Sequence, residues 1–70
     1  MFRLYDNYNV EYGTFETVEL CYDKIKDELV KANFKSYYYR QNLIDNKIIW
    51  VDYGSHTHFF FIEKIGEINE

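Results

Sequence analysis

The chain has 70 residues, a net charge of −4 at pH 7, one cysteine and no proline, and 21% of its residues are Phe, Tyr or Trp. A chain of this length forms one domain, here residues 1–70, and buries only about 60% of the surface that its unfolded form exposes. Aromatic side chains must therefore supply much of the core. The composition excludes a disordered linker, and the acidic balance disfavours general affinity for nucleic acid or anionic membranes. A single cysteine excludes a disulfide within the chain.

Two short strands are predicted before any helix. They cover Phe2–Tyr5 and Val10–Phe15, and the four residues between them, DNYN, are of types that favour turns. Gly13 within the second strand indicates a bulge or a close approach of another backbone. The two strands therefore predict a hairpin that leads into the next element.

An amphipathic pattern predicts one helix over residues 17–33. Its apolar residues recur at steps of three and four and fall within an arc of about 100°, the width of a stripe that packs on a core. These residues are Val18, Cys21, Tyr22, Ile25, Leu29 and Ala32. Thr17 can cap the first turn through its hydroxyl, and Asn33 can adopt the left-handed conformation that ends a helix. Cys21 is therefore expected to be a small buried apolar residue rather than a reactive thiol.

Three more strands are predicted after the helix, over residues 34–41, 47–53 and 57–64. Turns are expected over residues 42–46, at Asp45-Asn46, and at Gly54-Ser55. The order ββαβββ predicts a two-layer α+β fold, with a single helix packed on a mainly antiparallel sheet of about five strands.

The last two strands are apolar on both sides, which one helix cannot cover. Ile48 and Trp50 alternate with Ile49 and Val51, and the segment FFFI has the same property. We therefore expect an open aromatic sheet face, which would bind a partner protein or a second copy of the chain. The alternative is a strongly curled sheet, half a barrel, that buries both sets of side chains.

A second candidate surface lies on the helix. Glu19, Asp23 and Asp27 follow each other at steps of four, so their carboxylates form one stripe, flanked by Leu20 and Val30. These five residues are either a solvated face with two stray apolar side chains or an acidic ridge that binds a basic partner surface.

His56 and His58 share one side of an extended segment and could both reach a metal ion. A site needs a third ligand, and only Asp52 is near in sequence, so we expect two polar strand residues and no metal. The sequence has no phosphate-binding glycine loop, no CxxC pair and no nucleophile with a base beside it. We therefore expect neither a cofactor nor enzyme activity.

Three functions are consistent with these patterns. The first is a non-enzymatic cytoplasmic protein that modulates or inhibits a host protein through the acidic helix face or the open sheet face. Its richness in Tyr, Asn, Ile and Lys is similar in style to accessory proteins of phages that infect low-GC bacteria, which suggests a phage origin. The second is a homo-oligomer that binds a nucleotide or other small ligand in a tyrosine-lined cleft between subunits. The residues assigned to that cleft are Tyr37, Tyr39, Arg40 and His58. The third is a single-stranded nucleic-acid binder that uses the aromatic–basic run YYYR, although the acidic total opposes it.

Overall fold

The computed structural model describes residues 1–36, 38–44 and 46–66. Its elements are β1 (Phe2–Asp6), β2 (Glu11–Phe15), α1 (Val18–Lys31), β3 (Arg40–Leu43), β4 (Ile48–Asp52) and β5 (Phe60–Lys64). The predicted α+β fold is confirmed, with one helix packed on a five-stranded sheet. The strands lie in the order β2-β1-β5-β4-β3, and every neighbouring pair is antiparallel.

The helix is shorter than the predicted range of 17–33, but the cap at Thr17 and the left-handed turn at Asn33 are as predicted. The Oγ1 atom of Thr17 accepts a hydrogen bond of 3.1 Å from the amide of Leu20, which satisfies one of the free amides of the first turn. After α1 the chain turns at Asn33, whose φ of 57° is in the left-handed region that asparagine tolerates.

Three of the six predicted stripe residues, Cys21, Ile25 and Leu29, are buried, one per turn of α1. Val18 and Tyr22 are partly buried, but Ala32 follows the last helical residue and is exposed, so its predicted place on the buried stripe is wrong.

The core lies between α1 and the sheet side that faces it. Four strand residues meet the buried stripe of α1 there and are almost completely excluded from solvent. They are Leu4, Val51, Phe60 and Ile62. The order of the sheet places α1 over β2, β1 and β5, at one side of the sheet.

Cys21 is predicted to be unreactive while the protein is folded. Its side chain is fully buried, and burial raises the pKa of the thiol to about 11. At pH 8 this leaves roughly 100-fold less thiolate than an ordinary cysteine has. Only the thiolate is nucleophilic, so the reaction slows by the same factor. We expect alkylation of the native protein by iodoacetamide to be at least about 100-fold slower than alkylation in guanidinium. Equal rates would contradict the packing of α1 on the sheet.

The first strand after the helix begins later than predicted. Phe34, its predicted first residue, instead extends the helix end, because its amide donates to the carbonyl oxygen of Leu29 at 2.9 Å. Ser36 then donates its hydroxyl to the carbonyl oxygen of Tyr53 at 2.8 Å. A side-chain bond thus holds this segment to the end of β4 in place of a strand ladder, and regular pairing starts only at Arg40.

The turn that follows is also shorter than the predicted range of 42–46. Asn42 and Leu43 belong to β3, opposite Trp50 and Ile49. The turn does include Asn46, whose φ is 54°. Asp45, the other predicted turn residue, lies outside the described residues, as does Tyr37.

The last strand begins at Phe60 rather than at Thr57. The segment before it is held by the turn after β1, because the amide of Phe59 donates to Oδ1 of Asn7 at 2.8 Å. The side-chain amide of Asn7 in turn donates to the carbonyl oxygen of Thr57 at 2.9 Å. Such side-chain bonds compete with strand pairing, and here they replace it.

Candidate functional site

The side of the sheet that faces away from α1 carries a group of large apolar side chains. Because side chains alternate along a strand, the neighbours of the core residues point to this opposite side. The group consists of Tyr5, Ile48, Trp50, Phe59 and Phe61, and we call it the aromatic face. All five side chains are partly buried. Its centre is continuous across three strands, since Phe61 lies opposite both Tyr5 and Trp50 in the register.

The rings of the aromatic face hold each other in place. Tyr5 stacks on Phe61 with centroids 5.3 Å apart, and Trp50 packs on Phe59 at 5.0 Å. The guanidinium carbon of Arg3 lies 4.1 Å from the centroid of the Tyr5 ring. Rings that already pack on one another lose little conformational freedom when another molecule covers them, so covering this surface would cost little conformational entropy.

Arg3, the cation that lies against Tyr5 of the aromatic face, is paired within the chain. One guanidinium nitrogen of Arg3 lies 3.2 Å from a carboxylate oxygen of Glu11, and the other lies 3.4 Å from Glu63. Two carboxylates thus neutralise this arginine, so it offers little attraction to a phosphate. This end of the aromatic face therefore has little net positive charge.

The predicted acidic ridge is exposed, but lysines partly neutralise it. Leu20 and Val30 point to solvent, and the side chain of Val30 is 76% exposed. A carboxylate oxygen of Asp27 lies 3.4 Å from the ammonium of Lys31 and 4.0 Å from that of Lys24. Glu19 and Asp23 are exposed as well. The five ridge residues therefore share one surface of α1, with one of the three carboxylates in ion pairs.

Within one chain, the residues assigned to a small-ligand cleft make separate contacts. The ring of Tyr39 packs edge-on against Tyr22, with centroids 5.8 Å apart. The guanidinium of Arg40 lies 5.4 Å from the ring centroid of Tyr38. His58 bonds to a different set of side chains, described next, and Tyr37 lies outside the described residues. A cleft formed by two subunits stays a prediction.

Sequence reasoning missed a buried hydrogen-bond network around Asp6, which is only 2% exposed. Its Oδ1 atom accepts from the backbone amides of Tyr8 and Val10, both at 2.9 Å. Its Oδ2 atom accepts from the hydroxyl of Tyr12 at 2.7 Å and is 2.8 Å from Nε2 of His58. Burial raises the pKa of Asp6, but the four hydrogen bonds together outweigh it and hold the pKa below its ordinary value.

His58 and Tyr53 complete this network. With its proton on Nε2, the neutral imidazole donates to Asp6 and accepts at Nδ1 from the hydroxyl of Tyr53. The ring of Tyr8 covers His58 in a stacked arrangement, with centroids 5.9 Å apart. Burial raises the pKa of Tyr53, and burial together with the Asp6 carboxylate raises that of Tyr12. Both phenols therefore stay protonated at neutral pH and serve as donors.

The geometry gives this Asp6 network a structural role. Four donors already occupy the carboxylate, which leaves no acceptor site for a substrate. The bonds join the turn after β1 to the loop before β5, two segments about 50 residues apart in sequence. One sequence signal points to it: Asp6 follows Phe2 and Leu4 at steps of two, which places a carboxylate on the core side of β1.

Comparison of the chain with protein-family models, with curated proteins and with solved structures gives no match. Within the described ranges, no three His, Cys, Asp or Glu side chains lie together as metal ligands would. Among residues 1–36, 38–44 and 46–66, no helix has the length and apolar character needed to cross a membrane.

Proposed function

We propose that this protein is a non-enzymatic binding protein whose partner is another protein, held against the aromatic face. The observation that supports the proposal is the position of five contiguous large apolar side chains on the sheet side opposite α1. Contiguous apolar surfaces of this kind on small domains mark interaction sites. Tyr5 and Trp50 also belong to the residue types that dominate binding energy at interfaces.

The aromatic face is a better candidate than the acidic ridge of α1. The helix carries four carboxylates and three lysines, so its net charge is only −1. Ion pairs with Lys24 and Lys31 leave Asp27 with little attraction for a basic partner. Exposed charges of this kind affect association rates more than affinity, whereas buried aromatic contacts determine affinity.

The aromatic face is also better suited to bind a protein than to bind nucleic acid. Stacking on bases needs a positive groove beside the rings, because phosphate contacts supply most of the affinity. Here the cation against Tyr5, Arg3, is paired with Glu11 and Glu63. We therefore propose a host protein as the partner, and binding of this chain to its surface would modulate or inhibit it. The phage origin and the cytoplasmic location belong to this proposal and rest on the sequence alone.

Affinity capture with matched variants tests the proposal. The protein is immobilised as wild type, as Phe61→Lys and as the double variant Glu19→Lys/Asp23→Lys, and cell lysate is passed over each. We expect the wild type and the double helix variant each to retain one protein in stoichiometric amount. Retention on Phe61→Lys is expected to be at least about thirty-fold weaker, because this change removes a residue that dominates binding. Circular dichroism establishes that each variant is folded.

The reverse pattern would contradict the proposal. A protein lost from the helix variant and retained on Phe61→Lys would assign binding to the acidic ridge. If the wild type retains RNA or DNA instead of a protein, and nuclease treatment removes the retained material, the aromatic face binds nucleic acid by base stacking.

A further inference from the structure

The two edges of the sheet differ in how they are protected against pairing with another strand. The edge formed by β2 carries the usual safeguards: the pairing of β1 with β2 shifts register between Leu4 and Tyr5, and Gly13 has a φ of 124°. Glu11 adds a charge at the end of this strand. A bulged, charged edge disfavours the addition of a further strand.

The edge formed by β3 has neither a bulge nor a glycine among the described residues, and its one charge is Arg40 at the start of the strand. Its sequence RQNL contains no proline, no glycine and no carboxylate, and its pairing with β4 is regular throughout. All four residues are exposed. An exposed and regular edge strand is a template for strand addition.

The hydrogen-bond pattern identifies which backbone groups of β3 face outward. The amide of Ile44 donates to the carbonyl oxygen of Ile48 at 2.9 Å. Because bonded and non-bonded pairs alternate along an antiparallel ladder, Asn42 and Arg40 also bond to β4, and the residues between them do not. Gln41 and Leu43 therefore direct their amides and carbonyls away from the sheet.

Apolar surface accompanies this open edge. The side chains of Leu43 and Ile44 are 62% and 56% exposed. The helix lies over β2, β1 and β5, and its one described bond to β3 runs from the hydroxyl of Tyr22 to the side chain of Gln41. The end of the sheet near β3 is thus left without a second layer.

We propose that β3 pairs with β3 of a second copy of this chain, so that two sheets join into one continuous antiparallel sheet of ten strands. A two-fold axis brings identical edges together in antiparallel orientation, which is the geometry that an isologous dimer requires. Two copies of this edge can pair without charge repulsion, because Arg40 is the only charged residue of β3 and stands at one end of the strand. In an antiparallel pair, the two Arg40 residues therefore lie at opposite ends.

One register uses every outward group. With Asn42 opposite Asn42 of the second copy, Gln41 of each chain faces Leu43 of the other, and both pairs form two backbone hydrogen bonds. Arg40 then lies opposite Ile44 of the second copy, so no two like charges meet. The side chain of Leu43 packs beside Gln41 of the other chain, and that glutamine is already held by Tyr22.

Two variants at one position test the pairing. Gln41→Pro removes an outward amide that the bonds to β4 do not use, and edge strands tolerate proline at such positions. Gln41→Ala is the matched control, because it keeps the amide and loses the same bond to Tyr22. By sedimentation equilibrium we expect the wild type and Gln41→Ala to approach twice the chain mass of 8.6 kDa as concentration rises. Gln41→Pro is expected to raise the dissociation constant at least about ten-fold above that of Gln41→Ala.

Amide hydrogen exchange of the wild type gives a test that needs no variant. We expect exchange at Gln41 and Leu43 to slow as the protein concentration rises, while exchange along β2 does not change. A wild-type mass that stays at one chain up to about 1 mM overturns the proposal, since pairing weaker than this has no functional meaning. A dimer in which Gln41 and Leu43 exchange freely overturns it as well. The aromatic face is not used in this contact, so failure here leaves the proposed function intact.

Discussion

Replacement of Phe60 by alanine is expected to lower the free energy of unfolding by about 3–5 kcal/mol. The side chain is 1% exposed and packs against the rings of Tyr12, Tyr53 and His58. Its removal costs the transfer free energy of the ring and leaves a cavity that neighbouring strands cannot fill. A domain of this size has little stability to spare, so most molecules are expected to be unfolded in water. The circular dichroism of the variant in water, compared with the urea denaturation curve of the wild type, measures the change.

The next residue in the sequence provides the matched control. Phe61 has the same side chain in the same strand but points to the other side of the sheet, where it is partly exposed. Replacement by alanine is expected to cost less than half as much as the change at Phe60, because less apolar area leaves water on folding. Equal losses at the two positions would show that the assignment of the two faces is wrong.

Replacement of Asp6 by alanine is the second change with a large expected effect. It removes the acceptor for the hydroxyl of Tyr12, for Nε2 of His58 and for the amides of Tyr8 and Val10. Donors left without partners cost about 1–3 kcal/mol each when buried, and water reaches some of these, so we expect a total loss of about 2–4 kcal/mol. Asp52→Ala is the control, since its Oδ1 accepts the amide of Gly54 and the expected cost is about 1 kcal/mol.

The effect of Asp6 also depends on pH. Its pKa is lower in the folded protein than in the unfolded chain, so its contribution to stability is fully present above the unfolded pKa. That contribution is lost as pH falls through the folded pKa, in the range below about pH 4. Denaturation of the wild type and Asp6→Ala at a series of pH values should show a difference in the free energy of unfolding that becomes smaller as the pH falls. A constant difference down to pH 2 would contradict the ionised network.

Local patterns in the sequence were sufficient to predict the helix and the two sides of the sheet. The steps of three and four that include Cys21, Ile25 and Leu29 fix the buried stripe of α1. Alternation in β4 and β5 likewise separates the side chains into two apolar sets, and the structure places the set of Val51 and Phe60 in the core. Periodicity is a property of the chain itself, so it can be read without the structure.

The parts that were missed depend on contacts between distant segments. Aromatic density predicted a strand from Phe34, but the bond from Ser36 to Tyr53 fixes that segment differently. The start of β5 is decided by Asn7, and the Asp6–His58 bond spans 52 positions. Such bonds leave no periodic trace in the sequence, so propensity alone gives the wrong strand bounds there. Alternation in the sequence predicts an apolar sheet face of this kind. The position of β3 at an edge of the sheet, in contrast, follows only from the strand order.

Trp50 offers the most direct measurement of the central claim, because it is the only tryptophan and lies on the aromatic face. Incorporation of 5-fluorotryptophan gives a single fluorine resonance from this site. When the protein retained in the capture experiment is added, we expect this resonance to shift and broaden. An excess of unlabelled wild type should compete for that protein and restore the original resonance, whereas an excess of unlabelled Phe61→Lys should not. Stoichiometric binding of that protein with no change in the resonance would show that the partner surface lies elsewhere.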